Sequence, residues 1–435
     1  MYLMKRIRLF VILTGLAAGA TACSHTPDVP PADLVITNVA IVDTRTGGIA
    51  RDRTLAITDG RIVAIVPRGV AGKQVVDGRG KFIVPGFVDA HIHATEGAAS
   101  SNAYFDLLVA NGVTTIREEN VSLPVQQLAE RVRKEAASGA RIAPDIVFQG
   151  GEEHLDPRRS ALEQSNAGKP SMDHLGAGWG LILDCSTDEA AIRSDALAHG
   201  YQMKPPPTLA FLINPRAFDG ELNAPFYRRI IDTYDEGRCR ALSEAFVKNK
   251  TWQTVTLIRL KTQDFANDPA FTQSEYLRYM SPGVKEAWRR IGDQFAALSP
   301  GAISALQDYY ALQLRVTKLM SDSGVRILAG SDAAGIWVIP GFGLQQEFRE
   351  LTRAGLSPLQ VLQSATLSPA EFLQRAERSG AVEVGKDADL VLLDGNPIED
   401  VTSLERIAGV VLDGRYLSKN DLDALKENVA RSYAP

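Results

Sequence analysis

Cysteine, histidine and clustered basic residues are all scarce in this 435-residue chain. The scarcity of cysteine and of basic clusters each argues against one class of protein, and the scarcity of histidine limits the possible metal ligands. Three cysteines are too few for a fold held together by a disulfide scaffold. The net charge is −5 and lysine and arginine form no dense cluster, so electrostatics gives no reason to propose a nucleic-acid partner. No low-complexity tract occurs, and the composition of 45% apolar and 23% charged residues is typical of a globular protein. The length favours one large domain or two associated domains.

The first residues predict export, and their apolar run is too short to span a bilayer. Three basic residues among the first eight precede an apolar run, residues 9–22, whose length suits a signal peptide. The small residues before Cys23 resemble a bacterial lipoprotein cleavage box, which implies a lipidated Cys23 and membrane attachment. Plain secretion is the alternative, because the usual leucine is absent three residues before the cysteine. We expect residues 1–23 to be a signal peptide with a lipobox, and the protein to be periplasmic or a membrane-anchored lipoprotein.

The residues that follow predict a tether. Residues 24–32 are polar and proline-rich, which is typical of a linker. The two remaining cysteines, Cys185 and Cys239, could pair in an oxidising compartment. The interpretation that we favour is a pair of free, partly buried thiols.

One stretch organises the rest of the chain. An apolar run, residues 82–84, meets a Pro-Gly break, and a second run, residues 87–90, ends in His91-Ile92-His93. Because side chains alternate faces along a strand, His91 and His93 would point the same way and could bind one cation. A His-x-His pair alone is a weak signal. Preceded by Val-Pro-Gly-Phe-Val-Asp-Ala, it resembles the first barrel strand of the amidohydrolase superfamily of metal-dependent hydrolases.

Helical and strand patterns alternate after His93. The predicted elements are a helix at 102–110, a strand at 113–118, a helix at 125–137 and a strand at 146–148. This alternation indicates βα units and a parallel sheet, hence an α/β protein. The resemblance implies that residues 85–379 form a (β/α)8 TIM-like barrel, complete or shortened, with its chemistry at the C-terminal ends of the strands.

Short β-like segments occur at both ends of the chain. Residues 33–84 contain several, separated by turns such as Asp59-Gly60, a signal for a tight hairpin. These strands are too few to bury both faces of a sheet. Residues 380–417 hold two further strand patterns and resemble the closing segment of the family, which implies one small β-sandwich made from both chain ends. Residues 418–435 would then be a C-terminal helix or tail.

The resemblance also implies further metal ligands. Lys204 stands where the family's fourth strand carries a lysine that is carboxylated to bridge two metals. Residues 251–258 resemble strand seven of an imidazolonepropionase-like or prolidase-like subgroup. Asp332 follows a pattern that resembles strand eight, where an aspartate touches the metal and accepts a proton. An aspartate in a turn or at a helix start is the alternative. The order His-x-His, Lys, Asp in one chain favours the metal site.

Residues 151–180 predict a long polar loop that carries His154 and His174. Loops on the C-terminal face of a barrel commonly hold substrate contacts, so we assign both histidines to a substrate loop. Direct metal ligation by either histidine is the alternative to a solvated position in this loop. Between these two, we favour solvated loop histidines.

The chain departs from the family between strands four and seven. All six histidines lie at or before His199, so the histidines that end strands five and six in the family are absent. Lys204 and Thr251 are 251 − 204 = 47 positions apart, about half of the roughly 90 residues that three βα steps need. We expect a barrel shortened by a βα unit or rebuilt here, with 208–214 as one strand and 239–249 as one helix. The ligands that remain are His91, His93, Lys204 and Asp332.

These residues predict a metal-dependent amidohydrolase that cleaves a C–N bond of a small molecule: an amide, a cyclic amide or a dipeptide-like amide. One or two divalent cations, Zn²⁺ first among them, would activate the attacking water, and Asp332 would take its proton. The alternative is a degenerate, non-catalytic amidohydrolase-like lipoprotein that lacks the second metal site. No motif specifies the substrate or the oligomeric state.

Overall fold

The computed structural model describes residues 31–95, 101–199, 209–333 and 335–434. The predicted signal peptide with Cys23 and most of the linker lie outside these residues, as does Lys204. Within these ranges, no helix is both long enough and apolar enough to cross a membrane.

Strands and helices fill most of the described chain. The strands are β1 (Ala32–Val42), β2 (Ile49–Thr58), β3 (Arg61–Val66), β4 (Gly72–Asp77), β5 (Phe82–Pro85), β6 (Phe87–Ile92), β7 (Val113–Glu118), β8 (Asp145–Val147), β9 (Ser171–Asp173), β10 (Trp252–Thr254), β11 (Ile327–Leu328), β12 (Leu390–Leu393), β13 (Ile407–Leu412) and β14 (Arg415–Ser418). The α-helices are α1 (Ser101–Ala110), α2 (Leu123–Ala137), α3 (Ala161–Asn166), α4 (Glu189–Ala198), α5 (Leu209–Ile213), α6 (Arg216–Asp232), α7 (Glu236–Asn249), α8 (Leu257–Asp264), α9 (Pro269–Thr272), α10 (Pro282–Ala296), α11 (Pro300–Asp322), α12 (Phe342–Ala354), α13 (Pro358–Ser364), α14 (Leu367–Phe372) and α15 (Lys419–Ser432).

One eight-stranded sheet joins the two ends of the chain. Its order is β14-β13-β12-β5-β1-β2-β3, with β4 paired to β1. At its centre β5 runs antiparallel to β12, and Ile83 pairs with Leu392. The hairpin between β2 and β3 turns at Asp59 and Gly60, whose φ angles of 48° and 70° are those that a tight type I′ turn requires.

Six further strands surround the region where the predicted site lies. The strands β6, β7 and β8 form one parallel sheet, and β9, β10 and β11 form another. The two sheets meet where Ala90 N donates to Ala329 O at 2.9 Å and Asp332 N donates to His91 O at 2.8 Å. On the opposite side, Asp173 N donates to Glu153 O at 3.2 Å. In the part of the chain described, this wall therefore has six strands rather than the eight of a full barrel.

Most predicted elements are confirmed, and two are wrong. The helices predicted at 102–110, 125–137 and 239–249 correspond to α1, α2 and α7. The polar loop predicted at 151–180 instead contains helix α3 and strand β9. The strand predicted at 208–214 is helix α5, because a short apolar run does not distinguish a buried strand from a buried helix.

The interpretation of Cys185 and Cys239 as free thiols is also wrong. The two residues form a disulfide, with Cα atoms 4.5 Å apart. Both are buried where a 3₁₀ turn, Gly180–Cys185, packs on α7. Two cysteines 54 positions apart carry no sequence signal of pairing, because their proximity depends on how the intervening helices pack.

A buried carboxyl on α12 should make stability depend on pH. Glu347 is fully buried, and its Oε2 accepts from Ile258 N at 2.7 Å. Burial raises the pKa of Glu347 to about 8. The folded protein keeps this proton up to a higher pH than the unfolded chain does. The stabilisation that Glu347 contributes is therefore largest below about pH 4.5 and falls as the pH rises towards 8. Glu347→Gln should remove this fall, on the order of 2 kcal/mol, in urea unfolding measured between pH 5 and 8.

The exposed Glu399 provides the matched control. Glu399→Gln should leave the pH profile of the unfolding free energy as it is in the wild type. An unchanged profile in Glu347→Gln would show that this buried carboxyl is not the group that titrates.

Candidate metal centre

The C-terminal ends of two strands, β6 and β11, bring three of the predicted ligands together. His91 lies at the end of β6 and His93 directly follows it, while Asp332 lies four residues beyond β11. The Nε2 atoms of His91 and His93 lie 3.7 and 3.4 Å from Asp332 Oδ1. His91 is fully buried, and the side chain of His93 is 19% exposed. Residues 239 positions apart (332 − 93) thus face one small space.

The donor set fits a divalent cation. Both ring nitrogens of His91 are buried without a hydrogen bond, which is rare for buried polar atoms unless an ion or water satisfies them. Donor separations of 3.4–3.7 Å are too long for hydrogen bonds. They match the edge of about 3.4 Å of a tetrahedron whose ligands lie about 2.1 Å from a zinc ion. Burial, then the neighbouring His174, lowers the pKa of His91 to about 4, so the imidazole is in the neutral, ligating form at pH 7.

A second group of donors surrounds Glu152 on the open side of the centre. Glu152 Oε1 lies 3.3 Å from His154 Nε2, 3.7 Å from His174 Nε2 and 3.9 Å from His93 Nε2. Ligand atoms of His91, Glu152 and His174 all lie within 4.8 Å of one another. Burial alone would raise the pKa of Glu152, but His154 and His174 hold it well below its usual range. The Glu152 side chain is 40% exposed, so this side faces solvent.

His174 therefore does not fit the interpretation of a solvated loop histidine. It is buried, it directly follows β9, and its ring centre lies 4.4 Å from that of His91. Its Nε2 lies 3.6 Å from Asp332 Oδ2. His154 is less enclosed, with a side chain that is 30% exposed. The interpretation failed because β9 is three residues long and was not predicted.

Buried charges orient His91 from behind. Its Nδ1 lies 3.5 Å from Glu119 Oε1 and 3.5 Å from Asp173 Oδ2. Arg117 Nη1 lies between these carboxyls, at 2.9 Å from Glu119 and 3.4 Å from Asp173. Burial raises the pKa of Glu119 to about 10, so this side chain is neutral at pH 7. Burial alone would also raise the pKa of Asp173, but His91 and Arg117 hold it well below its usual range, so Asp173 is the ionised carboxylate. The Asp173 carboxylate behind the His91 imidazole favours the proton on Nδ1, and Nε2 is then free to face Asp332.

Three residues of the site adopt left-handed backbone conformations. The φ angles of Asp332, His174 and Thr256 are 53°, 55° and 43°. Thr256 is β-branched, and such residues rarely have positive φ. Its Oγ1 lies 2.5 Å from His174 Nδ1. Strain of this kind persists only where the surrounding structure enforces it, and it is common at functional sites.

Arg259, on α8, completes the site, and the sequence gives no signal for it. Its Nε donates to Asp332 Oδ2 at 2.8 Å, and the side chain is buried. Burial alone would raise the pKa of Asp332, but Arg259 and the three nearest imidazoles hold it below its usual value. Asp332 is therefore an ionised carboxylate at neutral pH.

Comparisons with known proteins agree with this architecture. A sequence model of the amidohydrolase family matches residues 313–417. The chain is 26% identical over 382 residues to adenine deaminase 2 of Bradyrhizobium sp. (strain ORS 278), which covers 83% of this chain and 54% of that protein. It is 46% identical over 87 residues to adenine deaminase of Desulforamulus reducens, 20% of this chain and 15% of that protein. The chain thus spans about half, or less, of the length of these relatives.

Solved structures show the same fold. Bottromycin amidohydrolase superposes with a TM-score of 0.61 at 22% identity, covering 94% of this chain and 92% of its own. A Xaa-Pro dipeptidase with bound methionine superposes with a TM-score of 0.55 at 17% identity, covering 88% and 99%. Residues 313–417 thus match the amidohydrolase family, and the structure shares its fold with these two solved enzymes.

Proposed function

We propose that this protein is a metal-dependent hydrolase that cleaves a C–N bond of a small molecule: an amide, a cyclic amide or a dipeptide-like amide. The observation that carries the proposal is the convergence of His91, His93 and Asp332 at the separations of cation ligands. Similarity to adenine deaminases in sequence, and to an amidohydrolase and a dipeptidase in fold, supports the same bond type.

Zinc is the cation that these donors favour. Imidazole nitrogens with one carboxylate oxygen are a common zinc-ligand set, and three protein ligands leave a fourth position open. When bound, such a cation polarises a substrate carbonyl and lowers the pKa of water. One equivalent would occupy the set of His91, His93 and Asp332. A second would need the neighbouring donors of Glu152 and His174.

The residues of the chain supply the remaining chemistry. Asp332, ionised beside Arg259, is positioned to receive the proton of an attacking water and to return it to the leaving nitrogen. Glu152 offers a second proton acceptor on the open side, where substrate would enter. A carboxylated Lys204 would add a further ligand, and this remains a prediction.

The test combines metal analysis with a substrate panel on the full-length protein. Purified protein should contain between one and two equivalents of zinc and should hydrolyse at least one of adenine, Xaa-Pro dipeptides, N-acyl amino acids and cyclic imides. A chelator should abolish the activity, and zinc should restore it. Protein that binds no metal, even after refolding with excess zinc, would instead support the non-catalytic alternative.

We also propose that the protein is exported, either as a periplasmic protein or as a lipoprotein attached through Cys23. The signal-like apolar run supports this. The disulfide between Cys185 and Cys239 supports it independently, since such bonds persist mainly in oxidising compartments.

A further inference from the structure

We propose that Arg259 is a positioning residue that holds one carboxylate oxygen of Asp332 and thereby keeps this side chain a one-oxygen ligand. The inference rests on the proposed metal centre and concerns how that centre keeps a position open for water.

The two oxygens of Asp332 have different surroundings. Oδ1 faces the Nε2 atoms of His91 and His93 at 3.7 and 3.4 Å. Oδ2 accepts the hydrogen bond of Arg259 Nε at 2.8 Å and lies farther, at 3.6 Å, from His174 Nε2. A carboxylate that binds a cation through both oxygens occupies two positions. A catalytic zinc ion needs one of those positions for water or substrate.

Arg259 is itself held so that it cannot easily leave Oδ2. Its Nη2 donates to Leu212 O at 2.6 Å, and its Nη1 donates to Ile213 O. The planar guanidinium makes these hydrogen bonds in one fixed, fork-like arrangement, which a lysine ammonium cannot reproduce. The Arg259 side chain also packs tightly against the backbone at Gly335, where a Cβ atom would lie only 2.6 Å from Nη1.

Loss of Arg259 should have two opposite effects. It removes a positive charge next to the cation and frees Oδ2 to bind it, so the metal should be held more tightly. The freed oxygen then takes the position that the reaction needs, so turnover should fall. A residue that merely supported the fold would, when removed, weaken metal binding or leave it unchanged.

The experiment measures zinc affinity by competition with a chelator, kcat on the substrate found above, and the visible spectrum of the cobalt(II)-substituted protein. In Arg259→Met the Kd for zinc should fall about tenfold, because a positive charge beside the cation is removed, and kcat should fall at least about tenfold. The cobalt absorption should weaken, as expected when a four-coordinate ion becomes five-coordinate. Gly335→Ala displaces the guanidinium without altering Arg259 or Asp332. The Kd for zinc, kcat and the cobalt absorption should therefore change in the same direction as in Arg259→Met. Arg259→Lys should give values between those of Gly335→Ala and those of the wild type.

Arg216 provides the matched control. It is also buried and also pairs through Nε with an aspartate, Asp264, at 3.2 Å, but that aspartate is not one of the proposed ligands. Arg216→Met should lower the melting temperature and leave the Kd for zinc within about twofold of the wild type.

Weaker or unchanged zinc binding in both Arg259→Met and Gly335→Ala would overturn the inference, as would an unaltered cobalt spectrum. If Arg259→Met does not fold, Gly335→Ala and Arg259→Lys decide the question. A wild-type protein that binds no metal would overturn the proposed function together with this inference. A wild type that binds metal beside variants that bind it less tightly overturns this inference alone.

Discussion

His91→Asn is expected to remove the bound cation and, with it, the hydrolysis. The shorter asparagine cannot place a donor at the position of His91 Nε2, and only His93 and Asp332 of the first donor set remain. Metal content measured by mass spectrometry should fall from at least one equivalent to background, and kcat/KM should fall at least about 1,000-fold, since both the Lewis acid and the activated water are lost.

His199 supplies the control for this substitution. It caps the C-terminal end of α4, and its side chain is 71% exposed. His199→Asn should keep the metal and the activity. Circular dichroism should show that His91→Asn is folded, and a folded His91→Asn protein that retains full metal content would exclude His91 from the centre.

The largest effect on stability is expected from the disulfide. Replacing Cys185 and Cys239 by serine should lower the free energy of unfolding by about 4 kcal/mol, since the bond closes a loop of 54 positions in the unfolded chain. Denaturant unfolding of the double variant and of the wild type, each with and without reductant, measures this difference. Reductant should destabilise only the wild type.

The state of the same two thiols tests export. In denatured extracts of cells that produce the 435-residue chain, where burial no longer protects them, Cys185 and Cys239 should resist alkylation until a reductant is added. A chain that lacks residues 1–23 should remain in the reducing cytoplasm, with both thiols free to react. Equal alkylation of the two proteins would contradict the proposed export, and equal stability of the serine variant and the wild type would contradict the stabilising role of the bond.

Much of the fold could be predicted because its signals are local. The Asp59-Gly60 turn between apolar runs indicated the β2–β3 hairpin, and the helical spacing after His93 indicated α1 and α2. Strand β9 was missed because three residues are too few to show a period. The strand predicted at 208–214 was wrong for a related reason, since the apolar run of α5 spans barely more than one helical turn.

Only part of the candidate site could be predicted in the same way. His91 and His93 are adjacent on one strand, so their common direction follows from strand geometry alone. The positions of Arg259, Thr256 and His174 depend on how separate βα units pack together. An arginine in the first turn of a short helix of mixed polarity, or a threonine two residues after a short strand, has no local feature that indicates a neighbouring aspartate or histidine.

The pairing of β5 with β12 has a consequence for how the protein matures. Ile83 and its partner Leu392 are 392 − 83 = 309 positions apart, so the edge of β5 that faces β12 stays unpaired until residue 392 has been synthesised, while β1 can already pair with its other edge. Closing so long a loop is entropically costly, and unpaired edges invite intermolecular association in the meantime. A nascent chain with such long-range strand pairing would benefit from a chaperone that binds it while it is unfolded. Such a chain would also be compatible with translocation through a membrane pore in an unfolded form.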